Sequence, residues 1–186
     1  MRIVDHQERR REIAEVAMDL IAREGLEAAT LNRIAREMGA SIRVITHYFS
    51  SKDTLLLWAY RTMAEQGQQS IAAALAGDPA DLAGVLKAMC GGDAAALRRW
   101  RVYVAFWDMA TRHPDFAAEQ RQWIDRTQQM IGDVLAARAG GDAQARIHAR
   151  ELIALVYGVS VQRLFDPSSW NETALAEAID RAVSRI

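Results

Sequence analysis

Residues 30–53, TLNRIAREMGASIRVITHYFSSKD, determine the fold of the N-terminal part of this chain. In their first half the apolar side chains recur at i, i+3, i+4 and i+7, the spacing of one face of an α-helix. These side chains are Leu31, Ile34, Ala35 and Met38. Thr30 is a favourable N-cap for this helix, and Gly39 is suited to end it because glycine readily adopts left-handed backbone. The segment predicts a short helix followed by a tight turn.

After the turn, the same segment predicts a second helix with one apolar and one polar face. The side chains predicted to point inward are Val44, Ile45 and Tyr48. Those predicted to point outward are Ser41, Ile42, Arg43, Thr46 and His47. Two short helices with this spacing are typical of the helix-turn-helix motif, whose second helix enters the major groove of DNA.

The polar face of the second helix suits hydrogen bonding to DNA. The planar fork of Arg43 can pair with guanine O6 and N7, and Ile42 can pack against a thymine methyl group. Thr46 lies one turn further on the same face. Thr30 and Lys52 are predicted at helix N-termini, where free N–H groups and the helix dipole favour a phosphate. We therefore expect Arg43 to read bases and Thr30 and Lys52 to hold the DNA backbone.

A tyrosine–phenylalanine pair followed by a lysine, an acid and a leucine resembles the signature of the TetR family of transcriptional regulators. In this chain these residues are Tyr48, Phe49, Lys52, Asp53 and Leu55. The string over residues 45–57 is most similar to the BetI-type branch, whose best-known members repress betaine-synthesis genes and respond to choline. The resemblance implies that His47 and Tyr48 contact phosphates. The family often has a small residue where Arg43 stands, so base preference cannot be transferred from relatives.

The resemblance also implies a division of the chain into two functional parts. A helix-turn-helix DNA-binding domain is expected at residues 1–52, and a ligand-binding and dimerisation domain at residues 53–186. Composition agrees, because 186 residues that are 51% hydrophobic can bury a core. With only three prolines and no alternating β-branched pattern, the chain is predicted to be all-α with about nine helices.

Charge and cysteine content limit the class of protein. The net charge of −1 argues against a generally basic surface, so DNA affinity must come from locally placed groups that a dimer doubles. The single cysteine excludes an intramolecular disulfide. No segment resembles a signal peptide or a membrane span, and we expect a cytoplasmic protein without membrane partners.

The predicted body of the chain carries two aromatic and polar stripes at helical spacing. One stripe contains Trp100, Tyr103 and Trp107, and the other contains Trp123, Thr127 and Met130. Such stripes pack as solid core, or they line a pocket that suits a flat or cationic small molecule. Asp108 is the carboxylate closest to the first stripe by helical angle and can offset a ligand cation. Both interpretations remain open from the sequence.

A strongly apolar helix near the C-terminus indicates a subunit interface. Every position from Leu152 to Val161 except Ser160 is non-polar when Gly158 is counted, and the last helix has an apolar seam that reaches Ile186. We expect two copies to pack as a four-helix bundle through residues 152–165 and 175–186. The alternative is a helix that is buried wholly within its own monomer.

Catalytic signals are weak, and no catalytic residue, cofactor or metal site is predicted. Nucleotide-binding and hydrolase motifs are absent from the sequence, and His148-x-x-Glu151 is the one spacing that resembles a metal ligand pair. We predict a homodimeric DNA-binding repressor that a small-molecule effector, cationic or aromatic, releases from its operator. The competing hypotheses are a helical-bundle enzyme or small-molecule-binding protein without DNA binding, and an interaction module with a degenerate recognition helix. The retained polar face argues against the interaction module.

Overall fold

The computed structural model describes residues 6–78, 81–91, 93–139 and 142–186. These residues form nine α-helices and one short 3₁₀-helix, without a strand, which confirms the predicted all-α fold. The 3₁₀-helix is Leu26–Ala28, and the α-helices are α1 His6–Glu24, α2 Leu31–Glu37, α3 Ile42–Tyr48, α4 Lys52–Gly77, α5 Leu82–Cys90, α6 Ala94–Arg112, α7 Pro114–Ala139, α8 Asp142–Phe165 and α9 Glu172–Val183. No helix within these ranges combines the length and hydrophobicity needed to cross a membrane.

The described residues divide into two compact units. The first contains the residues up to Glu65 together with Arg101–Ala117, and the second contains Gln66–Trp100 together with Ala118–Ile186. Helices α4, α6 and α7 each contribute segments to both units. The functional division at residues 52 and 53 falls where α4 begins and stays a prediction, and residues 1–5 of the N-terminal part lie outside the described residues.

The N-terminal helices of the first unit share a small apolar core. α2 packs against both α1 and α3. Completely buried side chains from all three helices meet there, because each helix repeats its apolar residues every three or four positions. These side chains are Ile13 and Leu20 of α1, Ile34 of α2 and Ile45 of α3.

The turn between α2 and α3 depends on Gly39. Its φ of +61° lies in the left-handed region that favours glycine. The Ala40 N–H donates to the Ala35 carbonyl at 2.9 Å, and the Gly39 N–H donates to the Arg36 carbonyl at 3.1 Å. This pair of bonds is a Schellman motif, which satisfies the last carbonyls of α2 while redirecting the chain into α3.

In the second unit, α5 packs against α8 and α9. An ion pair joins α5 to α9, with 2.6 Å between Lys87 Nζ and Asp180 Oδ1. Two long side chains satisfy carbonyls at the end of α5: the Trp100 indole N–H donates to Cys90 O at 3.1 Å, and Arg163 Nη1 donates to Gly91 O at 2.6 Å. The end of α5 is therefore hydrogen-bonded although it is largely buried.

Candidate DNA interface and effector site

α3 has the two faces that the sequence predicts. Ile45 is completely buried, and Val44 and Tyr48 are half-buried. The exposed side chains are Ser41, Ile42, Arg43, Thr46 and His47. Side chains able to bond base edges and phosphates thus share one solvent-facing surface. This surface makes α3 the recognition helix of the motif.

Packing at the C-terminal end of the recognition helix holds it in place. Phe49, which ends the helix, is buried and lies edge-on to the ring of Trp58, with 5.8 Å between centroids. The Arg10 guanidinium of α1 lies 5.6 Å from the centroid of the Phe49 ring. The Thr46 hydroxyl donates back to the Ile42 carbonyl at 3.1 Å, so its remaining capacity toward solvent is as an acceptor.

His47 and Tyr48 belong to an aromatic cluster that includes His6 of α1. The ring centroids of His47 and Tyr48 are 5.0 Å apart, and His6 lies 5.9 Å from His47 and 5.4 Å from Tyr48. Sequence reasoning gave His6 no role, because its nearness to α3 arises from tertiary packing and no local pattern reports it.

Thr30 and Lys52 occupy the helix N-termini that the sequence predicts. The Thr30 hydroxyl accepts from the Arg33 N–H at 3.2 Å and so caps α2. Lys52 Nζ donates to the Leu26 carbonyl at 2.9 Å and lies 3.7 Å from Glu27 Oε2. Lys52 therefore ties α4 to the 3₁₀-helix, and its contact with phosphate stays a prediction.

Arg33 joins the carboxylates at the ends of α1 and α2. Its guanidinium is 3.0 Å from Glu37 Oε1 and 3.0 Å from Glu24 Oε1. The side-chain hydrogen bond to Glu37, followed by the charge of Glu24, raises the pKa of Arg33 above its usual value. These pairs compensate negative charge that would otherwise repel phosphates.

The predicted effector residues of the first unit lie on α6. Tyr103 and Trp107 are half-buried, and the Tyr103 ring lies edge-on to Tyr60 with 6.4 Å between centroids. Asp108 is exposed and forms an ion pair with Arg112 one turn later. Its charge is therefore compensated at the surface, and Arg112 would compete with a ligand cation for it.

Trp100, which the sequence places in the same stripe, is a packing residue of the second unit. It is buried, its N–H is bound to Cys90 O, and its ring lies edge-on to Tyr157 with 5.6 Å between centroids. Burial raises the pKa of Tyr157 to about 12. Burial also raises the pKa of the Cys90 thiol, which fits a structural cysteine better than a nucleophile.

The other predicted stripe forms a polar cluster with α4 in the second unit. Gln68 Nε2 donates to the Trp123 carbonyl at 3.3 Å and to Thr127 Oγ1 at 3.5 Å. The Thr127 hydroxyl donates to the same Trp123 carbonyl at 2.9 Å, and Met130 is half-buried one turn further along α7. Sequence reasoning missed Gln68, since it lies 55 positions before Trp123.

An all-α chain with an exposed polar recognition helix after a glycine turn defines a helix-turn-helix DNA-binding protein. Comparison with known families agrees. Residues 13–58 match bacterial regulatory proteins of the TetR family, and residues 78–186 match the C-terminal part of BetI-type transcriptional repressors. The chain belongs to the TetR family of transcriptional regulators, in its BetI-type branch.

Individual relatives cover nearly the whole chain. It is 29% identical over 192 aligned residues to the HTH-type transcriptional regulator PksA of Bacillus subtilis (strain 168). The alignment spans 98% of this chain and 92% of PksA. A crystal structure of a transcriptional regulator from Rhodococcus sp. Rha1 is 27% identical, covers 95% of each chain and has a TM-score of 0.87. A Saccharomonospora viridis protein described as a transcriptional regulator, solved with choline, is 25% identical, covers 96% of each chain and has a TM-score of 0.84. The chain is therefore a DNA-binding transcriptional regulator.

Proposed function

We propose that this protein is a homodimeric repressor that a small-molecule effector releases from its operator. DNA binding is supported by the exposed face of the recognition helix, where Arg43 and Thr46 lie beside His47. Ile45, which is buried, anchors the helix. We assign base contacts to Ser41, Ile42, Arg43 and Thr46. Phosphate contacts are assigned to Thr30, His47, Tyr48 and Lys52.

The proposed dimer interface is the apolar surface that α8 and α9 leave uncovered. On α8, Ile147 is 49% exposed and Phe165 is 76% exposed. Between them, on the same face, lie exposed Ala154 and Gly158. A large apolar side chain at each end and small residues between them suit close packing of a second copy.

Only part of the predicted interface segments is available for this contact. The buried side chains are Leu152, Ile153, Val156 and Val159 of α8 and Leu175 and Ile179 of α9. They form the core of their own unit, so the proposed interface uses only the opposite, exposed side of α8.

Release follows from the geometry of a dimer on DNA. Two recognition helices enter successive major grooves only when their spacing matches a helical turn, about 34–36 Å, or a multiple of it. An effector shifts the equilibrium between the DNA-competent and DNA-incompetent conformations only if it binds the DNA-incompetent one more tightly. Effector binding to the helical body would therefore change that spacing and lower operator affinity.

We propose that the effector is small and carries a cationic or flat aromatic group. The choline complex of the Saccharomonospora viridis relative makes choline the first candidate. Within the second unit, Trp123, Thr127 and Met130 are the residues that we assign to effector binding, while Trp100 is engaged in packing.

Operator binding measured by fluorescence anisotropy tests this function. An operator duplex is first selected from a random-sequence pool, and the bound complex is then titrated with choline, betaine and neutral isosteres. We expect saturable release by choline or betaine, each of which carries a quaternary ammonium group. Release by a neutral or acidic compound alone would overturn the cationic effector and leave the repressor intact. Absence of sequence-dependent binding would favour the helical-bundle enzyme or carrier.

A further inference from the structure

The indole N–H of Trp123 is a buried hydrogen-bond donor. The Trp123 side chain is 6% exposed, and its indole Nε1 has no hydrogen-bond partner among the residues that the structure describes. Leaving such a donor unpaired is unfavourable, and native proteins keep few of them without a functional reason or a bound molecule.

Two polar side chains bind the backbone carbonyl of Trp123 and each other. Gln68 donates to the Trp123 carbonyl and to Thr127 Oγ1, and Thr127 donates to that same carbonyl. These bonds fix the backbone of α7 at Trp123 against α4. They involve only the backbone carbonyl of Trp123 and leave its indole N–H unpaired.

One face of the Trp123 ring already contacts a cation of the protein. The Arg126 guanidinium lies 5.1 Å from the ring centroid, within the range of a cation–π contact. A second cation near the same ring would meet the like charge of Arg126. The ring edge carries the unpaired N–H, and a hydrogen-bond donor of this kind attracts an oxygen atom.

We propose that the Trp123 indole N–H donates to an oxygen of the effector, which is a hydroxyl, carbonyl or carboxylate oxygen. This inference rests on the proposed effector-released function and narrows it. An oxygen acceptor is a required feature of the effector, and a quaternary ammonium group without oxygen does not suffice. Choline with its hydroxyl and betaine with its carboxylate meet this requirement, whereas ethyltrimethylammonium does not.

The test uses the full-length protein with isotope-labelled tryptophan and follows the indole N–H resonance of Trp123, assigned by its loss in Trp123→Phe. Choline or betaine is expected to shift this resonance saturably, and ethyltrimethylammonium to bind at least about tenfold more weakly, a difference of about 1.4 kcal/mol. Trp123→Phe should remove that preference by weakening only the oxygen-bearing ligands.

Trp100→Phe is the matched control, because it also removes a buried indole N–H, but one that is bound to Cys90 O. It is expected to lower stability and to keep the preference for oxygen. The inference is overturned if no oxygen-bearing probe moves the Trp123 resonance, or if Trp123→Phe keeps the preference. Operator release with an unmoved resonance would overturn this inference alone. Loss of sequence-specific operator binding would overturn the proposed function.

Discussion

Among the side chains of the recognition helix, Arg43 is the one expected to select a base. It is exposed on the face opposite Ile45, and its guanidinium can form a two-bond contact with guanine. Arg43→Ala should relax base preference at one position per half-site and cost about 1–3 kcal/mol per lost contact. Binding to a library of single-base operator variants measures both effects.

Two further variants serve as controls for Arg43→Ala. Arg121→Ala removes an exposed arginine from α7 and should change neither affinity nor preference. Lys52→Ala should weaken binding to all sequences alike, since a phosphate contact carries no sequence information. An unchanged preference profile in Arg43→Ala would show that another side chain reads the base.

Asp166, in the turn between α8 and α9, is expected to make stability depend on pH. Hydrogen bonds from Ser169 and Ser168, at 3.0 and 2.7 Å, lower its pKa to about 2. A carboxylate whose pKa is lower in the native state stabilises fully above its unfolded value of about 3.9, and this contribution is lost as the pH falls toward 2. Urea unfolding of wild type and Asp166→Asn between pH 2.5 and 5 measures it.

The asparagine variant keeps an oxygen acceptor for the turn but carries no charge. Its free energy of unfolding should therefore fall less steeply than that of wild type as the pH decreases over this interval. Parallel pH dependence in the two proteins would mean that Asp166 is not stabilised by these hydrogen bonds.

Individual side chains were predictable from the sequence where their environment is set by their own helix. Ile45 and Thr46 are neighbours with opposite exposure because a helix turns by about 100° per residue. The contacts of Lys52, Gln68 and His6 within the folded chain were not predictable in this way. Their partners are the Leu26 carbonyl, the Trp123 carbonyl and the His47 ring, which are distant in sequence and reached only after the helices pack.

At the level of helices, Gly39 is expected to control the junction of α2 and α3. Its φ of +61° suits glycine, and apart from its chain neighbours no described residue has an atom within 4 Å of where a Cβ would stand. Gly39→Ala should therefore cost about 1–2 kcal/mol through backbone strain alone. Gly39→Asn should cost less, because asparagine tolerates the left-handed region. Chemical unfolding compares the variants, and equal stability of all three proteins would contradict this role.

The limits of α2 were predictable from the sequence, because the residues at its two ends favour the start and the end of a helix. Thr30 caps the start of α2, and Gly39 lies in the turn that follows its end. The sequence did not show that the aromatic side chains of the α6 stripe lie in different environments. Trp100 belongs to the second unit and Tyr103 to the first, although both lie on α6. A periodic pattern locates a face of a helix but does not say what covers it.

For the chain as a whole, the exposed apolar surface of α8 predicts how two copies associate. Apart from its chain neighbours and the backbone of its own helix, no described residue has an atom within 4 Å of the position that a Cβ on Gly158 would occupy, so the folded subunit has room there for a larger side chain. Gly158→Arg should raise the helix propensity of α8 while placing a charge in the subunit interface. We expect a folded monomer in analytical ultracentrifugation at concentrations where wild type is dimeric.

Gln122→Arg places the same charge on the exposed surface of α7 and should remain dimeric. Val159→Arg is unsuitable for this purpose, because Val159 is buried within its own subunit and its replacement would disturb folding. A dimer that persists in Gly158→Arg would place the interface away from this surface.

Selection of binding sites from a pool of random duplexes by the full-length protein tests the central claim most directly. The account predicts enrichment of an inverted repeat whose half-site centres lie about 34–36 Å apart or a multiple of this distance, because a symmetric dimer presents two recognition helices. It also predicts that Arg43→Ala enriches the same repeat with one position relaxed in each half. A pool that shows no enriched sequence after selection would contradict sequence-specific DNA binding by this protein.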